Sequence, residues 1–320
     1  MSRKNFEIES QWEGATLASF VREKQGLSWA KTKHLIDARM VEISSQVCRD
    51  PARRIHSGES ISILSSPTPK KPFDHGVVIR HLDTHLVVVE KPSGISSVRH
   101  PTERDFTAER RALSPTLEEI LPELVKRRDS HSRGGKTQRL RIVHRLDKGT
   151  SGLMVFARTV DAERGLGKQF RDHTIHRRYV AIIHGLIRDQ AIESQLVRDR
   201  GDGRRGSTNL PSLGKHSVTH IKLRKQVGTY SLLECRLETG RTHQIRIHLS
   251  ERGHPLCGDT VYRKTVFGPE IPDNSGAPRL ALHAEALGFV HPVTGSTLSF
   301  DMAMPNDLVK WLGSLETPKS

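Results

Sequence analysis

The stretch Arg141 to Ala157, RIVHRLDKGTSGLMVFA, decides how the rest of the chain is read. Ile142 and Val143 lead into a polar knot, His144-Arg145-Leu146-Asp147-Lys148. The turn formers Gly149-Thr150-Ser151-Gly152 follow, and then an apolar run from Leu153 to Ala157. Apolar runs of that length bounded by glycine read as buried strands. Asp147 is therefore expected on a loop between two core strands, held by rigid scaffold yet reachable by a ligand, a common placement for catalytic side chains. Its neighbours Arg145 and Lys148 favour the carboxylate over the acid. Taken alone, an aspartate two residues before a glycine is an ordinary turn sequence.

Working outward, the chain is 320 residues long, enough for a sizeable core and for two domains. Lys+Arg number 51 against 36 Asp+Glu, a formal charge of +15, which favours a polyanionic partner, nucleic acid ahead of an anionic membrane surface. No run of 18 apolar residues occurs, so no membrane span is expected. The opening MSRKNFEIES lacks the apolar segment of a secretory signal, and a cytoplasmic, monomeric protein is expected. Cys48, Cys235 and Cys257 match no zinc spacing and read as reduced thiols. His144, His243, His248 and His254 show no ligand spacing of the HExxH kind, which counts against a metal hydrolase.

Along the chain, residues 1–13 read as loosely ordered polar sequence. Leu17, Phe20 and Val21 mark a helix stopped by Gly26. Ser28 is expected to cap a second helix, Trp29 to Ala38, with Trp29, Leu35 and Ile36 on its apolar side and Lys31, Lys33, His34 and Arg39 as its basic residues. Short strands at 40–43 and 60–64 close a first domain at 14–66. The proline-rich, charged residues 65–72 read as a semi-rigid linker, placed at 67–75, ahead of a second domain at 76–315. There the pattern predicts strands at 77–82 and 86–90 and a helix at 116–127. A helix capped by Thr159, a strand at 178–183 and a hairpin at 217–225 and 230–237 follow, then a helix capped by Thr239 or Thr242, a late strand from Leu280 and a closing helix at 306–315. The basic segment 99–141 is built around that 116–127 helix, with a loop-like tail at 126–136 that is either a solvated face or a grip on backbone phosphates, and 198–216 reads as a basic exposed loop.

Several of these strings resemble one known family. HRLDKGTSGL resembles the catalytic motif of the RluA-type RNA pseudouridine synthases, His-Arg-Leu-Asp followed by Thr-Ser-Gly. LVVVEKPSGI, RRYVAIIHG, ETGRTHQIRIHL, GHPLCGDTVY and LALHAEALGFVHP resemble further motifs of that family. The segment from Leu27 to Leu64 is similar to the S-four-type (alpha-L) RNA-binding domain, except that Ser44-Ser45 stands where that family usually has Asn-Gly. The resemblance implies an α+β protein, a small helix–turn–helix RNA-binding domain followed by a catalytic domain built on a mixed or antiparallel sheet. It implies Asp147 as the essential catalytic residue, Tyr179 against the target base and Arg246 paired with Asp147. Lys91-Pro92 would brace the catalytic loop. Leu282 would line the base pocket, while Arg145, Arg241, Lys31, Lys33 and Arg39 would contact RNA, with no cofactor and no metal. The activity implied is isomerisation of a flipped-out uridine to pseudouridine in structured RNA, most naturally large-subunit ribosomal RNA or else transfer RNA. A non-catalytic RNA-binding factor would account for the charge and the first domain but would leave Asp147, Tyr179 and Arg246 as coincidences.

Overall fold

A computed structural model describes residues 3–44, 46–66, 75–103, 105–129, 139–210, 212–265 and 268–316. The chain divides into two compact units, Met1–Phe73 and Asp74–Ser320. Most of the expected linker, 67–74, lies outside the described residues, as do residues 130–138 of the expected basic loop.

The first unit contains β1 (Arg3–Glu7), α1 (Leu17–Gln25), α2 (Trp29–Asp37), β2 (Val41–Ile43), β3 (Gln46–Val47) and β4 (Ser60–Leu64). Thr16 caps α1 by accepting the Ser19 N–H, and Gly26 ends it in the left-handed region, where a side chain would be strained. Ser28 caps α2 as expected. Leu17, Phe20, Val21 and Ile36 are sealed against Val41, Ile61 and Ile63 of a sheet ordered β1-β4-β2-β3. Two expectations change. The opening residues are not loose, because β1 runs antiparallel to β4 from Arg3↔Leu64 to Glu7↔Ser60, and Ile8 enters the core. Trp29 is not on the buried side of α2: it is 47% exposed, and the fully buried Thr32 faces inward with Ile36.

The second unit begins with β5 (Val78–Leu82), β6 (Leu86–Lys91), α3 (Ala108–Leu113), α4 (Leu117–Arg128), β7 (Arg141–Ile142) and β8 (Ser151–Ala157). It continues with α5 (Val160–Arg171), β9 (His176–His184), β10 (Gln190–Val197), β11 (Gly206–Thr208), β12 (Lys215–Val227), β13 (Tyr230–Leu237) and α6 (Gln244–Glu251). It ends with β14 (Leu282–Val290), β15 (Thr297–Asp301) and α7 (Asn306–Glu316). One mixed sheet carries the unit, in the order β11-β10-β12-β13-β9-β14-β8-β6-β5, with β15 beside β14 and β7 beside β8. Among the described residues every pairing is antiparallel except β14 with β8. That parallel join sits at Gly152↔Ala284, directly after the Asp147 loop. Gly152 has φ +128°, and a Cβ there would lie 2.3 Å from the Ala284 carbonyl, so only glycine lets the two backbones meet. Apolar residues cover both faces of the sheet, Val87, Val89, Met154 and Phe156 on one side and Leu86, Val88, Leu153 and Val155 on the other. This is why β6 and β8 read as continuous apolar runs rather than alternating ones.

The segment 198–216 is not simply a loop: β11 pairs with β10, and both lie within a sheet that extends past the expected hairpin. Neither Thr239 nor Thr242 caps α6. The N-cap is His243, in the left-handed region at φ +60°, while the Thr239 hydroxyl accepts the Val218 N–H and donates to Gln244 Oε1. Gln244 also donates to the Val218 carbonyl and Thr219 Oγ1, so α6 is anchored to β12 by side chains rather than by a local cap.

Candidate active site

Asp147 occupies the turn between β7 and β8, where the Thr150 N–H donates to its carbonyl at 3.0 Å. The segment after β6 pins this turn. Ser97 Oγ donates to the Leu146 carbonyl at 2.6 Å and accepts the Leu146 N–H at 3.1 Å. Ser93 Oγ donates to the Gly149 carbonyl, and the Gly94 N–H to the Lys148 carbonyl. Lys91 is fully buried and its Nζ donates to the carbonyls of Pro92, Ile95 and Lys148 at 3.0, 2.8 and 3.4 Å. Burial pulls its pKa down to about 7, against the opposing charge of Asp147. The strand-end sequence KPSGI therefore braces the turn through carbonyls, the contribution expected of Lys91-Pro92.

Four elements bring the remaining groups to one cleft of about 930 Å³. It is lined by Asp147 and Arg145 from the turn, Tyr179 from β9, Arg241 and Arg246 around the start of α6, and Leu282 from β14. The sequence-predicted residues of the second unit thus converge. Lys31, Lys33 and Arg39 belong to the other unit, where Lys31 and Lys33 are exposed and Arg39 is half-buried. Arg241 donates through Nε to the His216 carbonyl at 3.2 Å, while Arg145 is exposed.

Arg246 Nη1 reaches Asp147 Oδ2 at 3.4 Å, the pair expected from the sequence. Its tighter partner was not expected. Asp259, with no exposed side-chain surface, takes Arg246 Nε at 2.7 Å and Nη2 at 2.9 Å, a bidentate grip that fixes the guanidinium plane. Asp259 Oδ1 also accepts the Val261 and Tyr262 N–H groups. Burial opposes charge on Arg246, but Asp259 and then Asp147 hold it above its ordinary range, so it stays a cation.

The sequence reading also missed His243. Its Nδ1 lies 2.8 Å from the Tyr262 hydroxyl, and its Nε2 is 3.8 Å from Asp147 Oδ1. Burial lowers its pKa against the pull of Asp147, with Arg246, Arg205 and Arg145 adding to the lowering, so the imidazole is neutral at pH 7. The Tyr262 ring lies 4.9 Å from the Arg246 guanidinium carbon. The loop from Asp259 to Tyr262 therefore orders both groups flanking the Asp147 carboxylate. The sequence signal was that the strings ETGRTHQIRIHL and GHPLCGDTVY, which hold His243 and this loop, carry family-like residues without an assigned job.

Tyr179 is 7% exposed. Burial raises its pKa, opposed by Arg177 and assisted by Asp147, so it is a neutral phenol at pH 7. The arrangement can hold an anionic carboxylate beside a fixed cation and an aromatic wall, in a cleft open to solvent. No group of three or more His, Cys, Asp or Glu suited to a metal occurs among the described residues.

The sequence profile of the family described as RNA pseudouridylate synthase matches residues 85–251, a span that encloses Asp147, Tyr179 and Arg246. A ribosomal large subunit pseudouridine synthase D of Zymomonas mobilis is 38% identical over 88% of this chain and 87% of its own. A protein with the same description from Neisseria meningitidis is 37% identical over 83% of this chain and 69% of its own. Among solved structures, human RNA Pseudouridylate Synthase Domain Containing 4 shares the fold, with a TM-score of 0.57 at 24% identity, covering 74% of this chain and 92% of that one. With half the chain matched by the family profile and relatives above 30% identity along most of its length, this protein belongs to the RNA pseudouridylate synthases, isomerases that convert uridine to pseudouridine.

Proposed function

We propose that the protein isomerises a uridine of large-subunit ribosomal RNA, with Asp147 as the residue that performs the chemistry at the ribose. The observation that carries this reading is the Asp147 carboxylate lying 3.4 Å from Arg246 in the same cleft as Tyr179 and Leu282. A stacked uridine hides its glycosidic bond, so the target nucleotide must be everted into the cleft. The C1′–N1 bond breaks, the uracil turns in place, and a C1′–C5 bond forms. The proton on C5 leaves and N1 gains one, so mass is unchanged. Asp147 acts on the sugar as nucleophile or base. Arg246 orients its carboxylate, and Asp259 holds Arg246. Tyr179 stacks on the uracil, and its neutral hydroxyl donates or relays a proton without serving as a phenolate base. Leu282 forms the apolar side of the base pocket.

The target class is taken from the relatives, whose descriptions name the ribosomal large subunit. The first unit acts as an S-four-type RNA-binding domain that docks RNA through Lys31, Lys33 and Arg39. The reading is supported by a helix–turn–helix leading into short strands, and by Lys31 and Lys33 exposed on α2. Arg145 and Arg241 contact the RNA at the catalytic cleft. Transcriptome-wide pseudouridine mapping in cells with and without the gene tests the target: a uridine of large-subunit rRNA should lose its modification. Loss confined to transfer RNA would overturn that assignment.

A further inference from the structure

We propose that Arg177 is a phosphate-binding residue, gripping a backbone phosphodiester next to the uridine on which Asp147 acts. The inference builds on the reading that this cleft receives an everted uridine. Arg177 lies two residues before Tyr179 on β9, so both project from the same face of the strand, and both line the cleft. It is 8% exposed. Its Nε is buried without a hydrogen-bond partner, and Nη2 donates to the Glu238 carbonyl at 3.2 Å.

The other buried arginines make the contrast. Arg246 is held by Asp259, Arg158 by Asp129, and Arg200 by Asp202 and Glu251. Among the described residues, no carboxylate lies within ion-pair distance of Arg177. Its surroundings offer no substitute. The Phe170 ring lies 5.6 Å from its guanidinium carbon and stacks on His144, whose imidazole accepts the Val155 N–H and is kept neutral by burial. Arg145, Arg164, Arg171 and Arg241 add further positive charge to the cleft lining, and of its carboxylates Asp147 faces Arg246 and Glu163 is paired with Arg141.

A desolvated cation without a counter-charge is costly to keep, and removing water from Arg177 already works against its charge. The backbone has nevertheless been shaped to fit it. A Cβ at Gly240 would stand 2.6 Å from Arg177 Nη1, so the glycine leaves room for the guanidinium. A uracil carbonyl could satisfy Nε but not the charge. A phosphodiester satisfies both, offering two oxygens to the planar fork.

The test uses the full chain and a short RNA hairpin carrying the uridine that the parent isomerises, with each flanking phosphate replaced in turn by an uncharged methylphosphonate. In the parent, one replacement should lower kcat/KM ~10- to 100-fold, the scale of a lost charge-assisted hydrogen bond. Arg177→Met should show a similar loss on native RNA and be indifferent to that same replacement. Arg177→Lys should recover part of the activity and stay sensitive to it. Gly240→Ala, which crowds the guanidinium without removing charge, should fall in between. Should Arg177→Met fail to fold, the cycle runs on Arg177→Lys and Gly240→Ala, in which coupling to one phosphate must shrink. Independent losses at every phosphate, or an unchanged kcat/KM in Arg177→Met, would overturn the proposal. A parent that isomerises no uridine counts against the cleft itself, whereas an active parent with no coupled phosphate counts against Arg177 alone.

Discussion

Arg246 is shared between two carboxylates, and that sharing sets what each substitution should do. Removing Arg246 strands Asp259 in a dry site, so Arg246→Ala should destabilise the fold by about 3 kcal/mol in urea melts as well as ending isomerisation. Unchanged stability would mean the pair is not the buried bridge described. Asp259→Ala leaves both the cation and Asp147 in place but frees the guanidinium to tilt. Misplacement by about 1 Å can cost about 100-fold, so kcat should fall on that order while RNA affinity is retained. A rise in KM with kcat preserved would place Asp259 in binding instead. Asp147 and its neighbours stood out in the sequence because they sit in contiguous strings. Asp259 and His243 lie in such strings too, in GHPLCGDTVY and ETGRTHQIRIHL, but drew no assignment, since their roles come from contacts with Arg246, Tyr262 and Asp147 that no local pattern reports.

Strand pairing decides which expectations held among the elements. Helix starts with a side-chain cap at Ser28 and Thr159 were readable from local chemistry. The start of α6 was not, because His243 occupies a left-handed cap that is strained for a non-glycine residue and is held by Tyr262. Strands β1, β11 and β15 are short, and each is defined by the partner it pairs with rather than by its own pattern. Ser97 illustrates how a loop residue can set the geometry of the catalytic turn. Ser97→Ala removes both hydrogen bonds to buried Leu146 and should cost about 1–3 kcal/mol, measured as a lower melting temperature with a parallel loss of kcat. Across the sheet, Glu285 of β14 is held down to about 2 by hydrogen bonds from Arg224, with burial opposing and Arg178 assisting. A carboxylate pKa depressed in the folded state adds stability that is fully present above about pH 4.5 and lost as pH falls through about 2. Glu285→Gln should therefore flatten the acid limb of a stability–pH curve over that window. An unaltered slope would show that the cluster contributes nothing.

For the whole molecule, charge and division into units carry the expectation. A net charge of +15 implies RNA affinity that falls steeply with salt. If Lys31 and Lys33 each meet a phosphate, replacing both with alanine should reduce the slope of log affinity against log salt by roughly two, with the rate at saturating RNA unchanged. A fall in the saturated rate instead would give α2 a part in the chemistry. Composition was informative about the polyanionic partner because charge requires no knowledge of tertiary contacts. The order of the large sheet, with the one parallel join among its described strands beside the catalytic turn, was not legible, since it depends on pairing between distant strands, such as Ser151 with His283, 132 residues further on. The central claim is that the Asp147 carboxylate does chemistry rather than holding structure. Its most direct test is tritium release from RNA labelled at uridine C5, with Asp147→Asn and the parent measured alongside binding to the same RNA. The account predicts no release above the enzyme-free control and an RNA affinity within a few-fold of the parent. Release at the parental rate, or equal loss of binding and release in a protein that melts normally, would contradict it.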